Sequence, residues 1–521
     1  MKNFSLILFL GIHSLLISQS QDYSTLVNPF IGTGGHGHTY PGATEPFGFM
    51  QLSPDTRIDG WDGCGGYHYS DSVIYGFSHT HLSGTGVSDL GDILIMPFNG
   101  KNQWNNGADQ RDGYGSVFSH KNETANAGYY SVLLDDSDIK VELTSAAHTG
   151  FHKYHYSNKK DKKLIIDLDH RDHLLNAEIK KINDSTFVGK RISKGWAQEQ
   201  HIYFVIQLSE KIESECTIRN EARYFSKLIL KFNSKSHDLL IKVGISAVDI
   251  DGAVKNLETE IPHWDFEKTK LATKQKWNSE LSKINIKTID KDKEIIFYTA
   301  LYHSFLAPNV FSDVDGRYRG TDLKVHQTNL TQYTIFSLWD TFRATHPLFT
   351  ITQQQKTLEF INTFLNHYKN GGILPIWELN ANYTKCMIGY HAIPVITDAY
   401  VKGINDFDTD LALEAMLYSA ELKHLGLDAY QKNGFISSQD ESESVSKTLE
   451  YAYDDWCIAV FADSLGKDSI ADVYYSRSLY YKNLYNPESK FMEPKFNGGF
   501  KDSFKPDEVT FDYTEANSWQ Y

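Results

Sequence analysis

The run DKDKEIIFYTALYHSFL, Asp290 to Leu306, sets Ile295, Ile296, Tyr298, Leu301 and Tyr302 at helical spacing behind a charged N-terminal turn. Six later segments repeat that pattern: Thr334 to Thr350, Gln353 to Tyr368, Ile388 to Lys402, Thr409 to Leu425, Ser444 to Leu465 and Asp468 to Leu484. Together they predict roughly seven helices in succession, joined by loops of unusual composition such as Gly371 to Glu378 and Asp313 to Tyr318. Paired helices with composition-rich loops at one end fit a bundle or an α/α toroid.

Upstream of about Ile261 the period is different. Short β-rich runs, including Tyr129 to Leu134, Ile139 to Thr144, Lys163 to Leu168, Ile202 to Leu208 and Leu239 to Ser246, alternate with Gly, Asn and Asp turns. Close spacing without helical crossovers favours antiparallel pairing in a large sandwich. The glycine-rich stretches Gly32 to Gly42 and Gly60 to Gly66 read as loops. The expected organisation is an export signal over residues 1–20, an N-terminal antiparallel β-sandwich over 21–260 and a helical domain over 261–521.

The signal is read from Lys2, the apolar stretch Phe4 to Ile17 and the small-residue site Ser18-Gln19-Ser20. That stretch is shorter than the ~20 residues a spanning helix needs, so the expectation is export to the periplasm or the medium without stable membrane insertion. Hydrophobic residues at 41% and charged residues at 22% describe a folded globular chain. With 66 acidic against 51 basic residues the net charge is −15, which repels nucleic acid and anionic membranes. Cys64, Cys216, Cys386 and Cys457 are far apart and form no CxxC pattern, and no disulfide is expected. The 30 Phe, 31 Tyr and 9 Trp suit cores, interfaces and sugar-stacking clefts alike.

Several positions carry candidate chemistry. Trp339, Asp340 and Arg343 fall at i, i+1 and i+4 of an expected helix, where Asp340 and Arg343 either pair along the helix or bind sugar hydroxyls while Trp339 packs on the ring. His36, His38, His68, His79 and His81 cluster in sequence, with His79 and His81 expected on one strand face. Nothing completes a zinc set at recognisable spacing, so loop packing and sugar contacts are the better reading. Trp377 and Glu378 place an aromatic beside a carboxylate in a loop, suited to stacking plus hydroxyl recognition. His391 is either a pocket residue or a core histidine. Glu450, Tyr453, Asp454, Asp455 and Trp456 crowd one helix; adjacent Asp454 and Asp455 cannot share a face, so one is expected inside and the other solvated.

Particular runs then resemble glycoside hydrolase family 92. They are Val27 to Thr33, Gly76 to Gly86, Ser337 to Arg343, Met387 to His391, Ser444 to Tyr451 and Glu515 to Tyr521, in one order across the chain. The resemblance implies an exported α-mannosidase, commonly α-1,2-specific, calcium-dependent and inverting, that acts on mannose-containing glycans. It implies a β-sandwich packed on an (α/α)6 toroid, here incomplete. It assigns Glu515 as general acid and makes Trp61 and Asp62, on glycine-rich β-domain loops reaching across the interface, candidate sugar contacts beside His79, Trp339, Asp340, Arg343, Trp377, Glu378 and His391. It names no calcium ligand. The run ending at Tyr521 stops within a family motif, so the general base and much of the metal environment are expected beyond it. The alternative expectation is a carbohydrate-binding remnant without catalysis.

Overall fold

The structure, a computed structural model, describes residues 21–109, 112–158, 161–219, 225–233 and 235–521. The expected export signal lies outside the described residues. Among the described residues, two antiparallel sheets dominate the N-terminal half. One orders Ser53–Asp55, Gly76–Ser78, Leu94–Phe98, Lys162–Asp167, Phe225–Phe232 and Ile212–Arg219. The other orders His173–Asn183, Thr186–Lys194, Gln200–Leu208, Asp238–Ser246, Thr149–Tyr156, Ile139–Ser145, Tyr129–Leu134, Ser116–Asn126 and Val73–Ile74. Ile95, Ile166 and Leu228 of the first sheet join Val141, Tyr154, Phe204 and Ile241 of the second in one buried core.

Strand Gln200–Leu208 shows why a helix follows. Ile202, Phe204 and Ile206 enter the sandwich core, whereas Val205 points the other way and packs with Val188 on Ala253 and Leu257 of helix α1 (Ile250–Glu260). A strand apolar on both faces needs a cover on each. Asp249 caps α1, its carboxylate accepting from Gly252 N at 2.7 Å. Asp265, Asp290 and Asp408 cap α2 (Phe266–Leu281), α3 (Lys291–Ser304) and α8 (Thr409–Glu421) in the same way.

In α3 the expected inward face is only partly right. Tyr298, Leu301 and Tyr302 are buried while Ile296, next to Ile295, is exposed. The remaining helices are α4 (Leu338–Thr341), α5 (Thr345–Thr352), α6 (Gln354–Gly371), α7 (Ala392–Val401), α9 (Leu427–Asn433), α10 (Ser444–Ser464) and α11 (Asp468–Arg477). The expected helix over Thr334 to Thr350 is broken into strands Tyr333–Thr334 and Phe336–Ser337, the single turn α4, and α5. The buried Glu378 carboxylate explains the break: it accepts from Thr334 Oγ1 at 2.8 Å and Ile335 N at 3.0 Å, holding this backbone against strand Trp377–Leu379. Helices α1, α2 and α9 lack a counterpart among the helical segments read from sequence.

The two domains share a seam. Phe47, from the β domain, sits in the helical core with ring centroids 5.4 Å from Phe305 and 5.8 Å from Phe349. Its amide donates to Phe305 O and its carbonyl accepts from Val310 N, both at 2.8 Å. No helix among the described residues is long and apolar enough to cross a membrane.

Candidate active site

Strand Trp377–Leu379 pairs with Phe336–Ser337 on one side and Asn382–Tyr383 on the other. Alternation sends Trp377 and Leu379 to one face, where they pack with Ile335 and with Leu82, Leu90 and Ala197 of the β domain. Trp196 meets Trp377 edge-on with centroids 4.5 Å apart, and the Asn382 side chain exchanges two 3.0 Å hydrogen bonds with the Glu199 backbone. The domain seam therefore runs directly under α4 and its neighbours.

A recess of about 190 Å³ opens on this seam between Ser83, Gly84 and Thr85 of the β domain and His303, Asp340, His346 and Trp377 of the helical domain. Burial pushes His303 down to about 4 and His346 down to about 3, so both rings are neutral near pH 7. Among the described residues His303 Nε2 and His346 Nδ1 have no hydrogen-bond partner, nor does the buried Trp339 indole N–H. Neutral imidazoles and an indole N–H are matched to uncharged hydroxyls. The Asp340 carboxylate accepts from the Ser337 hydroxyl.

On the other side of α4 lies a cleft of about 580 Å³ walled by Trp339, Arg343, Glu450, Glu515 and Tyr521. The segment carrying Glu515 is fixed at both ends: Val445 N donates to Asp512 O at 3.0 Å, Thr514 N to Ser446 Oγ at 2.9 Å, and Ser518 Oγ to Met492 O at 2.9 Å. Between these anchors Glu515 adopts φ +51° and is exposed in the cleft. Cleft and recess are close neighbours, because Trp339 of the one and Asp340 of the other are consecutive residues of α4.

Behind the cleft wall the charges alternate. Arg343 Nη2 donates to Glu450 Oε1 at 2.8 Å. Glu450 Oε2 lies 3.1 Å from His391 Nε2, an ion-pair contact outside hydrogen-bond angles. His391 Nδ1 donates to Asp454 Oδ1 at 2.8 Å, and Asp454 Oδ2 accepts from Tyr390 N at 2.8 Å. Burial alone would lower the His391 pKa, but Asp454 and Glu450 outweigh it and raise it to about 9. Burial would raise Glu450, yet His391 and Arg343 hold it below the usual carboxylate range. Phe342 stacks on the His391 ring at 4.0 Å. Gly389, at φ +76°, leaves no room for a side chain, since a Cβ there would stand 2.3 Å from His391 Nε2.

The structure thus gathers Trp339, Arg343 and Glu515 at the cleft, Asp340 and Trp377 at the recess, and His391 behind the wall. Trp61 is 60% exposed and covers Gly86, beside the loop that forms the β-domain side of the recess; Asp62 lies 2.8 Å from His36. Four expectations need correction. His79 is no sugar contact: it is buried in the β domain, where Nδ1 donates to Ile93 O at 2.6 Å and Nε2 meets His152 Nε2 at 3.0 Å. Glu378 is consumed by the chain, accepting additionally from Ala381 N at 2.6 Å, and its pKa is raised to about 7 by burial. It faces a separate pocket of about 260 Å³ on the opposite face of the hairpin from Trp377.

Asp340 and Arg343 do not pair, because α4 ends at Thr341 and Arg343 turns to Glu450. Asp454 and Asp455 are both buried, since α10 is enclosed on two sides: Asp454 meets α7 through His391, and Asp455 binds Arg477 Nε at 2.9 Å beside α11. Sequence reasoning missed His303 and His346 at the recess and Tyr521 at the cleft. The first two sit inside helical runs where a lone histidine gives no signal.

The β-domain loop at Ser83 to Thr85 closes one side of the recess that adjoins the cleft, so the candidate site lies where the two domains meet. The chain belongs to glycosyl hydrolase family 92: the family's N-terminal domain model matches residues 26–246 and its catalytic domain model residues 252–521. It is similar to a family 92 α-mannosidase of Bacteroides thetaiotaomicron, 37% identical with a TM-score of 0.90, covering 96% of this chain and 70% of that one. The same enzyme in complex with mannoimidazole gives a TM-score of 0.91. A family 92 inverting mannosidase of that organism is 29% identical with a TM-score of 0.87, covering 95% of this chain and 70% of that one. A curated relative from Arthroderma benhamiae, described as an uncharacterized secreted glycosidase, is 27% identical over 93% of this chain, and the chain spans 65% of its length.

Proposed function

We propose that the natural gene product is an exported α-mannosidase that releases mannose from α-linked, in particular α-1,2-linked, mannosides with inversion. The observation that supports this most is the placement of Glu515, exposed and anchored, across the same cleft from Arg343 and Trp339, with Asp340 in the adjoining recess. In this reading the mannose ring sits at the α4 turn. Asp340, the neutral imidazoles and the free donors of Arg343 take its hydroxyls, Trp339 and Trp377 offer apolar faces, and the β-domain loop at Ser83 to Thr85 closes the side. Glu515 gives its proton to the departing oxygen as the glycosidic bond breaks. A second carboxylate, roughly 6.5–9.5 Å away in an inverting enzyme, takes a proton from the water that attacks the opposite face. Glu450 is not that base: both its oxygens are engaged by cationic partners, which stabilise its charge and lower its basicity.

The resemblance also implies calcium. Among the described residues no group of three or more His, Cys, Asp or Glu side chains is placed to hold a metal ion. The side chains present do not fit a complete calcium site, and no step here runs through one.

Titration with mannoimidazole, followed by tryptophan fluorescence, tests the reading. Saturable binding that Asp340→Ala weakens by at least ~10-fold is expected, as loss of a hydrogen-bonded charged partner predicts. Absence of binding, or binding indifferent to Asp340→Ala, would contradict it.

A further inference from the structure

Arg343 poses a question the cleft alone does not answer. Its side chain is 48% exposed, a condition in which a long cation ordinarily samples many rotamers. Here it is held on three sides. Nε donates to Trp339 O at 3.2 Å, Nη2 donates to Glu450 Oε1 at 2.8 Å, and the guanidinium lies over the Phe342 ring at 4.7 Å. Among the described residues Nη1 has no partner and is left to the cleft.

What keeps Glu450 in place is therefore what aims Arg343. Glu450 is fixed from behind by His391, and His391 by Asp454 and the Phe342 ring. Phe342 thus touches both His391 and Arg343. We propose that Glu450, His391 and Asp454 form a positioning array whose task is to hold the Arg343 fork at a fixed angle for the hydroxyls of a bound mannoside, and that protonated His391 is its tensioning element. The proposal rests on the mannosidase reading for the identity of the ligand, though not for the array itself.

The chemistry follows from the ring. Nδ1–H is committed to Asp454, so the proton that leaves at high pH is the one on Nε2. Its departure removes the positive charge of the ring and leaves a lone pair 3.1 Å from Glu450 Oε2. Attraction becomes repulsion, Glu450 is displaced, and the Arg343 contact slackens. Facing the array are Arg343 and, on α10, Glu450 and Asp454, the first two joined as an ion pair and the last bonded to His391. Burial raises the phenols of Tyr390, Tyr451, Tyr453 and Tyr521 and the thiol of Cys457.

The array predicts a separation between binding and chemistry. Glu450→Gln and Arg343→Ala should each raise KM for a mannoside by about 10- to 100-fold with kcat within about 3-fold, since Arg343 acts in ground and transition state alike. Combined, they should raise KM no more than about 2- to 3-fold beyond the worse single variant, because removing Arg343 removes what Glu450 positions. The unsubstituted protein should lose kcat/KM through KM on an alkaline limb near pH 9, and His391→Gln, which keeps a donor toward Glu450 but cannot titrate, should lack that limb. Multiplicative effects of Glu450→Gln and Arg343→Ala, or an alkaline limb that persists in His391→Gln, would overturn the proposal. Crystals at pH 7 and pH 10 read the array without substrate: Arg343 should be ordered against Glu450 at the lower pH and displaced at the higher. An unmoved Arg343 would overturn the positioning role. A displaced Arg343 in a protein that neither binds nor cleaves mannosides would support the array and contradict the mannosidase reading instead.

Discussion

Two buried histidines, one in the β domain and one behind the cleft, differ in charge: the first is neutral and the second a cation near pH 7. His79 and His391 are both 0% exposed. His79 is pushed down to about 4 by burial, and its partner His152 can give it a single N–H because His152 Nδ1 already accepts from Tyr154 OH at 2.7 Å. His391 stands between Glu450 and Asp454 and is raised to about 9. Burial is the same in both regions, so the partners decide. The β domain keeps its histidine as a neutral packing group, while the helical domain holds a cation next to a cleft that must recognise polar ligands.

The largest test of that contrast removes the partner. Asp454→Asn should cost about 3–5 kcal/mol in urea unfolding, because it leaves a buried cation short of its counter-charge and weakens the acceptor of Tyr390 N. His152→Phe should cost only about 1–3 kcal/mol, the penalty of unsatisfied neutral groups. Equal costs would erase the distinction.

Next comes pH. His391 is raised relative to its unfolded value of about 6.5, so its contribution is complete below pH ~6.5 and is lost as pH rises through about 9, roughly 3 kcal/mol at about 1.4 kcal/mol per pH unit. His79 is depressed, so its contribution is complete above pH ~6.5 and is lost as pH falls through about 4, by a similar amount. Thermal melts should show the alkaline loss abolished by His391→Gln and the acid loss reduced by His79→Gln. Losses that do not separate this way would break the comparison.

The smallest effect is at the rim. Trp61→Ala, at a side chain 60% exposed, should change stability by less than about 0.5 kcal/mol and weaken mannoside binding by no more than about 10-fold, as a β-domain contact at the edge of the recess. A loss of stability above that range would mean that Trp61 serves packing over Gly86.

What the sequence disclosed, and what it withheld, follows the same line. Strands such as Tyr129–Leu134 and helix α10 over Ser444–Ser464 were legible because each depends on local periodicity. The break at Thr334 to Leu338 was not, because its cause is Glu378, a carboxylate far along the chain. Trp339, Arg343 and Glu515 were legible as cleft groups through motif resemblance. His79 and Glu378 looked equally apt, but both are buried and engaged by other parts of the chain, which residue type does not reveal. The alternating charges of Arg343, Glu450, His391 and Asp454 lay in three separate segments, and they meet where α7 packs on α10 and Arg343, just after α4, turns to Glu450.

The central claim is that Glu515 protonates the leaving group of a mannoside held in this cleft. Glu515→Gln in the natural gene product keeps the shape and removes the transferable proton. Mannose release from α-1,2-mannobiose should fall by about 10²- to 10⁴-fold, while an aryl mannoside whose leaving group needs no proton loses far less and mannoimidazole binding persists. Equal losses on both substrates, or undiminished cleavage of the disaccharide, would contradict the assignment.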